Sequence, residues 1–96
     1  MLKLLIVEDE EIICETLARL TDWSSLGIEL IGTCQDEVDA YHMILDECPD
    51  IVMTDINMPG ISGLELIERI QRTALDTRFL ILSGYAEFDY AKRAMK

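Results

Sequence analysis

The 96-residue sequence has few basic side chains and few cysteines. Eight Lys and Arg residues stand against nineteen Asp and Glu residues, and the net charge of −11 repels phosphate backbones and anionic membranes. The three cysteines are odd in number and have no CxxC spacing, which argues against a disulfide framework and a zinc site. We therefore expect reduced thiols, and no direct binding of nucleic acid or membrane by this chain.

Long apolar runs are also absent. Residues 4–7 and 79–82 form the longest runs, far below the roughly 20 residues that cross a bilayer. The apolar stretch after Lys3 is too short for the core of a signal peptide, so the sequence predicts a cytoplasmic protein. Half of the residues are nevertheless apolar, which predicts a packed core, and the length allows one small domain over residues 1–96.

Four apolar segments are typical of strands that are covered on both faces, and they alternate with segments of helical periodicity. The order β-α-β-α-β-α-β-α predicts an α/β fold built on a doubly wound parallel sheet. The predicted strands are 2–7, 28–34, 51–54 and 78–82. Each predicted helix has a stripe of residues expected to be buried. The stripes are, from the first helix to the fourth, Ile13, Leu17 and Leu20; Val38, Tyr41, Ile44 and Leu45; Leu64, Ile67 and Ile70; and, within 86–96, Phe88, Ala91 and Met95.

Polar residues follow the predicted strands at the points where ligands bind in such sheets, beyond the carboxyl ends. Glu8 and Asp9 follow the first strand, Asp55 follows the third, and Ser83 follows the fourth. If strands one and three are neighbours, three carboxylates converge, and they raise one another's pKa unless a cation lies among them. Oxygen ligands without His or Cys favour a hard ion such as Mg²⁺. No glycine-rich phosphate loop follows the first strand.

Three motifs in this order resemble the receiver domain of two-component response regulators, and the resemblance covers the whole chain. They are VEDE at 7–10, TDINMPG at 54–60 followed by GLEL at 63–66, and LSG at 82–84. Residues 22–28 and 83–91 further resemble receivers that precede AraC-type DNA-binding domains. The resemblance implies a flavodoxin-like fold and phosphorylation by a sensor histidine kinase.

The resemblance also implies a role for each site residue. Asp55 would be the phosphoacceptor, and Mg²⁺ would be held by Glu8, Asp9, Asp55 and the backbone carbonyl of Asn57. Ser83 would hydrogen-bond a phosphoryl oxygen. Glu8 stands where the family usually has Asp. The signal would pass to an appended DNA-binding domain, while the receiver would act as a signalling domain rather than an enzyme.

The family's sheet has the strand order 2-1-3-4-5, and its fifth strand, a lysine that contacts the phosphoryl group and a fifth helix would follow Lys96. Without them we expect a sheet of order 2-1-3-4 whose fourth strand is an exposed apolar edge. This predicts self-association through that edge. An alternative is a non-catalytic receiver fragment that acts only as an interaction module. An aspartate-nucleophile phosphatase is disfavoured, because Asn57 stands where its general acid would be Asp.

Overall fold

Strands and helices alternate along the chain in a computed structural model, which describes residues 1–55 and 63–82. All four predicted strands are present, and the third extends one residue further, to Asp55. The predicted helix over 86–96 lies outside the described residues. The elements are β1 (Leu2–Val7), α1 (Glu11–Leu20), a 3₁₀ turn (Ser24–Leu26), β2 (Ile28–Cys34), α2 (Glu37–Glu47), β3 (Ile51–Asp55), α3 (Gly63–Gln71) and β4 (Arg78–Leu82).

The four strands form one parallel sheet in the order β2-β1-β3-β4, as predicted. β1 lies in the interior of the sheet, where Val7 pairs with Cys34 on one side and with Thr54 on the other. The carboxyl ends of β1 and β3 therefore meet at the same edge of the sheet. Among the helices that the structure describes, none is long and apolar enough to cross a membrane.

The side chains of β1 alternate between two hydrophobic clusters on opposite faces of the sheet. Leu5 and Val7 pack with buried residues of α2 and α3, whereas Leu4 and Ile6 pack with Cys14 of α1. Successive side chains of a strand point to opposite faces, so a strand that is covered on both faces needs apolar residues at every position. This explains why the strands appear in the sequence as continuous apolar runs.

The buried stripe predicted for α1 is wrong at two of its three residues. Cys14 is the buried residue of this helix and Leu17 packs partly against the same cluster, whereas Ile13 is exposed and Leu20 is 81% exposed. Cys14 and Leu17 are three residues apart and so share a helix face. The prediction failed at Ile13 and Leu20 because it passed over Cys14, which packs in the core as a small apolar side chain.

The stripes predicted for α2 and α3 are correct in part. In α2 the buried residues are Glu37, Ala40 and Ile44, whereas Val38 and Leu45 are exposed. In α3, Ile67 and Ile70 are buried as predicted; Leu66 is buried with them, and Leu64 is only partly covered. The prediction for α2 failed because it assigned only apolar side chains to the buried face. The structure places the carboxyl group of Glu37 on that face.

α2 ends at a residue in a left-handed backbone conformation. Cys48 has φ 48° and ψ 59°, and its backbone N–H donates to the carbonyl of Ile44. A Cβ atom makes this conformation costly, which is why glycine is common at such a position. The thiol of Cys48 is exposed, so its replacement removes no core packing.

We predict that Cys48→Gly raises the free energy of unfolding by about 1 kcal/mol, because glycine removes the Cβ strain at this helix end. Urea unfolding followed by circular dichroism measures the change. Cys48→Ala is the control, since alanine keeps the Cβ atom and should leave the stability near that of the wild type. Equal stabilisation by the two substitutions would contradict the strain argument.

Candidate functional site

Three carboxylates meet at the carboxyl edge of the sheet. Glu8 and Asp9 follow β1, and Asp55 is the last residue of β3. One oxygen from each lies within 4.8 Å of the others. The predicted convergence of these side chains is confirmed, because β1 and β3 are neighbours. Asn57 and Ser83 lie outside the described residues, so their roles stay predictions.

Glu8 is the most buried member of this cluster, at 2% exposure. Its Oε1 accepts a hydrogen bond from the backbone N–H of Glu10 at 3.2 Å. Burial is the main cause that raises its pKa to about 7, followed by a hydrogen bond with the side chain of Asp9, and the charge of Asp55 acts in the same direction. The Glu8 carboxyl therefore holds its proton more tightly than an exposed glutamate does.

Two side chains outside the cluster hold the backbone beside it. The thiol of Cys14, on α1, donates to the carbonyl of Glu8 at 3.3 Å. The hydroxyl of Thr54, which is buried, donates to the carbonyl of Asp55 at 3.0 Å. Sequence analysis missed both supporting roles. The sequence gives little indication of these roles, because Cys is an ordinary residue in a helix and Thr is an ordinary residue in a strand.

The donor set fits a hard divalent cation. It consists of three carboxyl groups on two neighbouring chain segments, and oxygen ligands of this kind are those that Mg²⁺ prefers. Three carboxylates this close repel one another, and either a proton or a cation relieves the repulsion. Burial and the neighbouring Asp9 and Asp55 raise the pKa of Glu8, which favours relief of this repulsion by a proton when no cation is bound.

Comparison with known families decides the assignment of this fold. The sequence model of the response regulator receiver domain matches residues 4–96. The chain belongs to this family. The flavodoxin-like receiver fold is thereby confirmed together with the strand order 2-1-3-4.

Similar proteins include transcriptional regulators. The chain is 46% identical over 96 residues to the uncharacterized transcriptional regulatory protein YesN of Bacillus subtilis (strain 168), covering all of this chain and 26% of YesN. It is 36% identical over 96 residues to the transcriptional regulatory protein HptR of Staphylococcus aureus (strain NCTC 8325 / PS 47), covering 37% of HptR. This receiver domain thus spans about a quarter to a third of the length of these relatives.

Solved structures of similar receivers have the same fold. The REC domain of AraT, a response regulator from Geobacillus stearothermophilus, has a TM-score of 0.89 at 30% identity, over 98% of this chain and 73% of that one. The two component transcriptional regulator AraC from Clostridium phytofermentans ISDg has a TM-score of 0.84 at 30% identity, over 94% of this chain and 73% of that one. The predicted likeness to AraC-type receivers is confirmed.

The raised pKa of Glu8 predicts how the stability of this receiver domain depends on pH. Because the folded-state pKa of about 7 lies above the ordinary value of 4.5, Glu8 binds its proton more tightly in the folded state. The resulting stabilisation is present below pH 4.5 and is lost as the pH rises through 7. We expect the cation-free wild type to lose roughly 1–3 kcal/mol from this group between pH 5 and pH 8.

Urea unfolding of wild type and Glu8→Gln at these two pH values, in the presence of a chelator, checks the prediction. The substitution should reduce the loss of stability, because glutamine has no proton to release. Glu10→Gln, at the exposed neighbouring position, is the matched control and should behave as the wild type. An identical loss in wild type and Glu8→Gln would show that Glu8 is not the titrating group.

Proposed function

We propose that this receiver domain accepts a phosphoryl group on Asp55 from a sensor histidine kinase, with Mg²⁺ as its cofactor. The observation that supports the proposal is the cluster of Glu8, Asp9 and Asp55, whose oxygens lie within 4.8 Å of one another at the end of β1 and β3. These three residues and the backbone carbonyl of Asn57 would hold the ion. Ser83 would donate a hydrogen bond to a phosphoryl oxygen.

In the proposed transfer, a carboxylate oxygen of Asp55 attacks the phosphorus of a phosphohistidine in line. A phosphorus–oxygen bond forms, the phosphorus–nitrogen bond breaks, and its electron pair stays on the imidazole. Glu8 and Asp9 would hold Mg²⁺ beside Asp55, and the ion would supply positive charge against the phosphoryl oxygens. Asp55 is the last residue of an internal strand, which positions its carboxylate for attack.

The proposed output follows from the relatives. YesN and HptR are transcriptional regulatory proteins, and this chain spans only part of their length. We propose that phosphorylation changes the surface of the receiver and thereby controls an appended DNA-binding domain of the AraC type in the cytoplasm. With its net charge of −11, this chain itself is not expected to bind DNA.

Self-association through β4 is a second candidate function, in which the chain is a non-catalytic interaction module. β4 is one edge of the described four-stranded sheet, and Leu80 in its centre is 52% exposed. An edge strand offers unpaired backbone groups to another chain, and an exposed apolar side chain adds surface to bury.

The phosphoacceptor proposal predicts a mass gain of about 80 Da, from one phosphoryl group, when the protein is incubated with acetyl phosphate and Mg²⁺. Intact-mass spectrometry measures the gain. It should disappear in Asp55→Asn and without Mg²⁺, and it should persist in Asp46→Asn, a matched control at an exposed position of α2. A gain that survives in Asp55→Asn would overturn the assignment of the acceptor, and no gain in the wild type would favour the interaction module.

The edge-strand proposal predicts a reversible dimer at tens of micromolar, in the affinity range of weak protein complexes. Sedimentation equilibrium measures the association. Leu80→Lys should weaken it, because a charge at the centre of an edge strand opposes pairing with a second strand. Leu20→Lys, at another exposed leucine, should leave it unchanged. A monomeric wild type at this concentration would refute the candidate.

A further inference from the structure

A carboxyl group is buried without a partner at the beginning of α2. Glu37 is the first residue of this helix and its side chain is 0% exposed, on the same helix face as Ala40 and Ile44. Within the described residues, neither of its carboxyl oxygens has a hydrogen-bond partner. Buried polar groups are nearly always paired, and an unpaired carboxylate is among the costliest groups to bury. Among the described residues, no side-chain hydrogen bond therefore offsets the burial of Glu37.

The groups around Glu37 do not favour its ionised form. Asp9 in the turn after β1, Asp36 in the turn before α2, and Glu65 in the first turn of α3 all act on it, and all three are acidic. The titratable group at the end of β2 is Cys34, whose thiol has a pKa raised to about 11 by burial and is neutral at physiological pH. Burial and the three acidic neighbours together raise the pKa of Glu37, and burial is the larger cause.

The helix N-terminus is already capped by another residue. The Asp36 side chain accepts a hydrogen bond from the backbone N–H of Asp39 at 2.8 Å. The backbone N–H of Glu37 itself lowers its pKa, but this effect is smaller than that of burial. The helix dipole at the beginning of α2 thus acts on the carboxyl groups of both Asp36 and Glu37. The Asp36 carboxylate is hydrogen-bonded to the backbone, and the Glu37 carboxyl is buried.

We propose that Glu37 makes the N-terminal turn of α2 a pH-sensitive element, which is closed while the carboxyl is neutral and opens when it ionises. On opening, the proton passes to solvent and the carboxylate becomes hydrated. This inference rests on the packing of Glu37 and is independent of the proposed phosphotransfer at Asp55.

The direction of the pH dependence follows from linkage. In the open form Glu37 has its ordinary pKa, near 4.5, and in the closed form its pKa is higher. Between these two values one proton is released on opening, so the opening equilibrium rises about tenfold per pH unit. Below pH 4.5 the carboxyl is neutral in both forms, and opening no longer depends on pH through this group.

The three cysteines provide a readout of where the structure opens. Cys34 is buried in the cluster that contains Ala40 and Ile44 of α2, and its Sγ lies 3.7 Å from Sδ of Met43, so opening of α2 uncovers it. Cys48, at the other end of α2, is exposed throughout. Cys14 is buried in the cluster on the opposite face of the sheet, so it becomes reactive only on wider unfolding.

The experiment labels the full chain with dithiodipyridine at pH values from 5 to 8 and quantifies each cysteine by peptide mass spectrometry. The Cys34 rate is divided by the Cys48 rate of the same sample, which corrects for thiol ionisation. This ratio is then compared between the wild type and Glu37→Gln at each pH, so that other titrating groups cancel. Glu37→Met is a second variant, and Glu47→Gln, at the exposed end of α2, is the matched control.

We expect the wild-type ratio to rise with pH relative to both Glu37 variants, by about tenfold per pH unit within the titration window. Glu47→Gln should follow the wild type, and Cys14 should stay protected. The proposal is overturned if the pH dependence of Cys34 is the same in wild type and Glu37→Gln. It is equally overturned if Cys14 becomes reactive in parallel with Cys34, because ionisation would then unfold the domain as a whole.

Discussion

Burial of β1 on both faces is the constraint on which the rest of this receiver domain depends. Its apolar side chains supply both hydrophobic clusters, so the strand is held between β2 and β3 with helices on either side. In the register between β1 and β3, Val7 pairs with Thr54. The residues that follow Val7 and Thr54 therefore leave the sheet side by side. The carboxylate cluster is a direct result of this pairing.

The pairing of β1 with β3 also brings three acidic side chains close enough to repel one another. Glu8 is enclosed at the top of the core while Asp9 and Asp55 lie beside it, and its raised pKa is the consequence. Glu37 shows a second response to burial in this acidic chain. The Glu8 carboxyl accepts a hydrogen bond from a backbone N–H and shares one with the side chain of Asp9, whereas neither carboxyl oxygen of Glu37 has a hydrogen-bond partner among the described residues. We propose that opening of the N-terminal turn of α2 relieves the burial of Glu37.

The chain belongs to the receiver family, whose members act in signalling, and this suggests a use for the carboxylate cluster. The family model and the solved receivers cover nearly the whole chain, while YesN and HptR are several times longer than it. The carboxylate cluster and the four described strands lie almost entirely within the part of the chain that the family model matches. The output domain is proposed from the relatives, because this chain spans only 26% of YesN and 37% of HptR.

The sequence by itself determined the strands, their alternation with helices, and the acidic residues at the strand ends. Those features are local, since a strand covered on both faces needs a continuous apolar run and a ligand site needs polar residues where such a run ends. The periodicity of α3 predicted the burial of Ile67 and Ile70, but only the tertiary structure decided the buried face of α1 and the burial of Glu37 in α2. The turn of α1 toward Cys14 and the burial of Glu37 depend on how neighbouring elements pack, and periodicity along one helix contains no information about the surface that it meets. The same holds for the pKa of Glu8, because burial and charges from another strand determine it.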